Sequence, residues 1–156
     1  KGKRNLNLLP QIIISKLEFG KWSYVLSAKK YDNGALIDWN KLFPIIFPHF
    51  IGMDPDKHHQ VIIDHIKVVK NWRNRVAHLE PVWKFSDVKD MITGNVLVPE
   101  PTNQLEVLKR LKAEVRRALN LLSWLCVDTL GHYKSTKSYQ QLLHLISHDG
   151  ITDFSY

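Results

Sequence analysis

Apolar residues recur every three or four positions along much of this chain, the period of an α-helix that turns one face inward. From Leu6 to about Ser27, Ile13, Leu17 and Tyr24 fall at that spacing, and Pro10 is compatible only with the first turn. Gly20 costs about 1 kcal/mol relative to alanine inside such a helix, so it marks close packing or a break. Tyr31-Asp32-Asn33-Gly34 is a turn signal. Asp38 then caps a short helix through Leu42 and Phe43, interrupted by Pro44 and Pro48. Asp54-Pro55 reads as an N-cap with proline at the first helical position. Ile62, Ile66, Val69, Trp72 and Val76 carry that helix forward until Pro81 stops it close to Glu80. Residues 81 to 101 read as a loop holding a strand-like piece, Asn95 to Val98. Thr102 can cap the next helix, whose Leu105, Leu108, Leu111, Val115, Leu119 and Leu122 form a stripe that Gly131 is expected to end. A last helix spans about Ser138 to His148, with Gly150 after it. The pattern predicts an all-α single domain over residues 1–156, a bundle of about five amphipathic helices.

A length of 156 residues suits one domain without a metal or disulfide staple. The single cysteine, Cys126, lies in the apolar run Leu121-Leu122-Ser123-Trp124-Leu125-Cys126-Val127, which favours a buried structural thiol. One cysteine excludes a disulfide framework and a thiolate zinc cluster, in agreement with a reducing, cytoplasmic location. No apolar run approaches the roughly 20 residues of a membrane span, and no signal peptide is visible. The chain opens on Lys1 rather than methionine, which leaves room for an N-terminal segment ahead of it. Lysine and arginine exceed aspartate and glutamate by 22 to 15, a net charge of +7. That excess suits a phosphate-bearing partner and equally an ordinary basic protein.

Candidate chemistry concentrates in Arg73-Asn74-Arg75-Val76-Ala77-His78, at the end of the longest predicted helix. Histidine exchanges protons near neutral pH, and arginine offers a planar fork of donors that fits a phosphate. Asn74 lies four residues before His78, on the same helical face, where its amide can hold the imidazole or a phosphate oxygen. Together these are the residue types needed to cut RNA. Arg73 and His78 are five residues apart, roughly 140° around an ideal helix, so a shared site needs a long reach, a distorted last turn or a second chain. Lys70 and Arg75 near that end, and Lys109 and Arg116 within the cluster Lys109, Arg110, Lys112, Arg116 and Arg117, are candidate RNA-binding cations. The bland readings are a dipole-stabilised cap for His78 and a solvated face for the cationic cluster. His58 and His65 share a face beside His59, but no zinc-protease carboxylate pattern accompanies them, so no metal is expected. Trp22, Trp39, Trp72, Trp83 and Trp124 read as core or dimer-interface aromatics.

Arg-Asn-x-x-x-His at a helix end resembles the signature of the HEPN superfamily of helical ribonuclease domains, and most of all its Abi-like, abortive-infection group. Further segments support the resemblance in order: Leu17-Glu18-Phe19-Gly20-Lys21-Trp22, Phe47-Pro48, the run from Trp72 through Pro81 to Trp83, and Leu121-Leu122-Ser123-Trp124-Leu125. The resemblance implies a bacterial, metal-independent endoribonuclease without a cofactor, acting as a homodimer whose two motifs meet in a composite site. It further implies a phage-defence or toxin role, with an RNA or protein antitoxin as a possible regulator. By position, Arg73 and His78 would be the paired catalytic residues and Asn74 the polar residue after the arginine. The family often carries a second histidine directly after the first, and this chain has Leu79 there. The alternative is a non-catalytic RNA- or nucleotide-binding or dimerisation module of the same type.

Overall fold

The structure is a computed structural model that describes residues 19–50, 55–90 and 92–152. Seven α-helices and one small antiparallel sheet make up the described residues: α1 (Trp22–Leu26), α2 (Trp39–Ile46), α3 (Pro55–Ala77), β1 (Val88–Lys89), β2 (Val96–Val98), α4 (Gln104–Leu125), α5 (Val127–Lys134), α6 (Lys137–Leu145) and α7 (His148–Thr152). The expected all-α class holds. The count exceeds five because two expected helices are each divided.

The first expected helix is visible only from Phe19, and Pro10, Ile13 and Leu17 lie outside the described residues. A 3-10 turn over Phe19–Lys21 leads into α1, so Gly20 sits where the regular helix begins. The turn ahead of α2 is built as its residues predict: Gly34 takes φ +84°, a value glycine adopts without steric cost, and donates to Tyr31 O. Asp38 caps α2, its carboxylate accepting from Lys41 N–H. Pro44 lies inside α2 rather than ending it. Its missing N–H removes one bond in a helix of two turns, and Phe47 N–H still donates to Phe43 O at 2.7 Å. Pro55 is the first residue of α3 as predicted, whereas the proposed Asp54 cap lies outside the described residues.

Two differences arise at helix ends. Asn103, not Thr102, caps α4: its side chain accepts from Glu106 N–H, while the Glu106 carboxylate reaches back to Thr102 N–H and Oγ1. This is a reciprocal cap displaced by one residue. Downstream, the chain leaves the helix at Cys126, which is extended, and restarts as α5 with Gly131 inside it. Cys126 is therefore half-buried between two helices rather than buried within one. The last expected helix likewise turns a corner after α6, and Gly150 falls within α7.

The strand-like piece is real, as β2, and pairs with β1, which its residues did not announce. Both strands are exposed, so the hairpin rests on its turn, where Asp90 Oδ1 accepts from Ile92 N–H, Thr93 N–H and Thr93 Oγ1.

Two apolar clusters hold the helices. One gathers Leu26, Phe43, Phe47, Ile63, Ile66 and Leu121 around Ile62, which is fully buried, with Trp22, Trp39 and Trp124 packed against it. The other joins Phe85, Leu108, Leu111, Val115 and Ile146, with Trp72 against it. The α3 stripe thus serves both clusters, through Ile62 and Ile66 in the first and Trp72 in the second. Its last member, Val76, is exposed instead. Trp72 also donates its indole N–H to the Glu114 carboxylate, fastening the end of α3 to α4. No helix among the described residues is long and apolar enough to cross a membrane.

Candidate functional site

The motif sits where α3 ends, and local hydrogen bonding defines that end. Glu80 N–H donates to Arg75 O at 2.8 Å and Leu79 N–H to Val76 O at 3.2 Å, a Schellman closure that satisfies the last helical carbonyls. Leu79 occupies the left-handed position of that closure, with φ +56°, the place usually taken by glycine. His78 is the residue between the helix and this turn, its N–H donating to Asn74 O at 2.9 Å. The Arg75 guanidinium donates to the carbonyls of Lys84 at 2.5 Å, Pro81 at 3.2 Å and Val82 at 3.5 Å. Residues 81–84 are thereby folded back against the helix end. Arg75 thus clamps this loop through its Nη1.

Arg73 and His78 are both exposed, and among the described residues neither side chain makes a hydrogen bond or ion pair. Asn74 is half-buried between them in sequence. On ideal helical geometry Arg73 and His78 fall on different sides of the helix end, roughly 140° apart. Asn74 and His78 share one side, and Lys70, four residues before Asn74, extends that ridge to about 12 Å. Carbonyls at the C-terminus of α3 carry partial negative charge that favours Arg73, Arg75 and His78 there in any event. Lys109 and Arg116 stand exposed seven residues apart on α4, and among the described residues no hydrogen bond or ion pair joins them to the motif. Arg110 in the same cluster is anchored, its guanidinium 4.6 Å from the Phe85 ring centre and bonded to Pro99 O.

The histidines considered as ligands have other work. His59 contacts the Leu26 carbonyl through Nε2 and packs on Trp39 and Phe43. His65 bonds the Val61 carbonyl at 2.8 Å and lies against Trp124. Desolvation holds His65 below its ordinary pKa, with the Arg117 charge acting in the same direction and the Val61 bond and Asp64 opposing it. Among the described residues no group of three His, Cys, Asp or Glu side chains is placed to hold a metal. Hydrogen bonds from the Thr129 hydroxyl and N–H lower the pKa of the Cys126 thiol.

Two grooves flank these elements. One of about 520 Å³ lies at the start of α4, against Leu105 and His148, and contains no motif residue. Another of about 410 Å³ runs between α1 and α3, where Ser23, Tyr24 and Ser27 face Gln60, Lys67, Lys70 and Asn71. The α3 half was readable from its three- and four-residue spacing. The α1 half was not, because serines and a tyrosine on a short helix carry no signal until the helices pack.

The chain matches no known family profile, no curated protein and no solved structure. Its function must therefore be read from the side chains themselves.

Proposed function

We propose that this protein is a metal-independent endoribonuclease of HEPN type, working as a homodimer in which the exposed ends of two α3 helices form one site. The observation that carries this reading is the presentation of Arg73 and His78, both exposed and unengaged among the described residues, on a helix end closed by a strained turn. A single chain leaves their side chains on diverging faces. A two-fold axis resolves the divergence, because Arg73 of one protomer can approach His78 of its partner. Val76, Leu79 and Trp83, all large, apolar and exposed around the motif, provide surface for such a contact.

The reaction needs no protein nucleophile. A ribose 2′-oxygen attacks the adjacent phosphorus, forming the 2′-O–P bond as the P–O5′ bond breaks. One His78 imidazole takes the 2′-proton, and the second, entering protonated, gives a proton to the departing 5′-oxygen. The products are a 2′,3′-cyclic phosphate and a 5′-hydroxyl. Arg73 stabilises the charge that grows on the non-bridging oxygens, and Asn74 holds the imidazole or the phosphate. A defence or toxin role in the cytoplasm, restrained by a protein or RNA antitoxin, accords with such an activity.

Incubation of the protein with single-stranded RNA in EDTA tests the proposal. Wild type is expected to release fragments with cyclic-phosphate ends. His78→Ala should lower the rate about 10²- to 10⁴-fold and Arg73→Ala about 10²-fold, with folding and dimer retained. The intrachain divergence of the two side chains favours one other reading, a non-catalytic RNA-binding module. Intact RNA bound in a salt-sensitive manner by a folded protein would establish that reading instead.

A further inference from the structure

The groove between α1 and α3 lies outside the motif, and seven of the eight described residues that line it carry a polar or cationic group. Among the described residues its lining contains two lysines, two amides, two serine hydroxyls, one tyrosine and Ile63, and no carboxylate. We propose that it binds the phosphodiester backbone of single-stranded RNA and leads the strand along α3 to His78. The assignment rests on the reading of His78 as the cleavage site for its direction, but the binding chemistry belongs to the groove.

Four features support it. Lys70 is held in place: its ammonium lies 5.8 Å from the centre of the Tyr24 ring, and its stem passes so close to Gly20 that a Cβ there would sit 3.1 Å from Lys70 Cε. A Cβ at Gly20 would therefore crowd the end of the lysine stem. Among the described residues Lys70 has no carboxylate partner. Lys67 has one, Asp64 at 3.4 Å, but both side chains are more than half exposed, and a surface pair of this kind exchanges readily for a phosphate.

Tyr24 is 69% exposed. The Lys70 ammonium lies over its ring, and the exposed ring surface is one on which an unpaired base can stack. The hydroxyls complete the match to ribose. Ser27 donates to Ser23 O and Ser23 to Gly20 O, so their hydrogens are used within α1 while their oxygen lone pairs stay available to a 2′-hydroxyl donor. The track is continuous in register, since Lys70, Asn74 and His78 follow each other at intervals of four residues along α3.

Fluorescence anisotropy of a short labelled oligouridine tests the site, using His78→Ala protein so that the RNA stays whole. Lys67→Gln with Lys70→Gln should weaken binding roughly tenfold and reduce the slope of log K against log salt by about 1.4, the value for two backbone contacts on a single strand. Tyr24→Ala should weaken it about fivefold or more. All three side chains are outside the apolar core, and an unchanged melting curve confirms that each variant is folded. Inorganic phosphate is expected to compete only weakly. Affinity that ignores Tyr24 while phosphate competes fully would reduce the site to a simple anion pocket and overturn the proposal. Wild-type affinity in the double lysine variant would also overturn it.

Cleavage by otherwise wild-type protein separates the two proposals. Raised KM with kcat retained in the lysine variant supports the groove as a binding track. Groove-dependent binding without cleavage by wild type would remove the nuclease reading and leave the groove standing as an RNA site.

Discussion

Leu79 is a non-glycine residue in the left-handed region, and its replacement by glycine should stabilise the protein. Within one protomer the side chain is 93% exposed, so its removal there costs almost no burial. The two turn bonds use the Leu79 and Glu80 backbone N–H groups, which glycine leaves in place. A Cβ at φ +56° costs about 1–2 kcal/mol, whereas glycine adds about 0.4–1 kcal/mol of unfolded-state entropy. The balance is a gain of about 0.5–1 kcal/mol, or roughly 1–4 °C in Tm for a domain of this size. Leu79→Ala keeps the Cβ and its cost, so it should melt like wild type. Calorimetry of the three proteins at two concentrations is the assay. Leu79→Gly melting at or below wild type, with Leu79→Ala unchanged, would refute the strain argument. A loss that grows with protein concentration would instead reveal Leu79 packed against a second copy.

Two further predictions follow from packing. His65 has its folded-state pKa depressed, chiefly by desolvation, so in acid the unfolded chain takes up this proton more readily than the native one. Its contribution is present above the ordinary value of about 6.5 and is lost as pH falls through that value toward the folded pKa; the urea midpoint should drop accordingly, and His65→Gln should show a shallower drop. A variant with the wild-type pH profile would exclude His65 as a source. Gly150 is buried where α7 turns against α6, and a Cβ there would run into the His144 carbonyl. Gly150→Ala should therefore cost about 1–3 kcal/mol, seen as a lower Tm with helical circular dichroism retained, and a change within 0.5 kcal/mol or so would refute the clash.

The helical class, the course of α3, the α2 cap at Asp38 and the position of the motif at a helix end were all legible in the chain, because each depends on residues within about four positions of one another. Periodicity and capping are local, and so are their signals. The tertiary structure decided what local chemistry leaves open. Gly131 and Gly150 read as helix ends, yet one lies inside α5 and the other makes a close crossing of α6 and α7, which depends on residues brought together by folding. Arg75 carries the same charge as Arg73, but only the return of residues 81–84 to the end of α3 makes one a clamp and leaves the other exposed. Val76 follows the apolar stripe of α3 and still faces solvent, because among the described residues no helix or strand covers it. Gly20, Tyr24 and Lys70 are separated by up to 50 positions, and only the docking of α1 on α3 makes them one groove. Spacing along a helix determines which side chains share a face; the elements that pack there determine what that face can do.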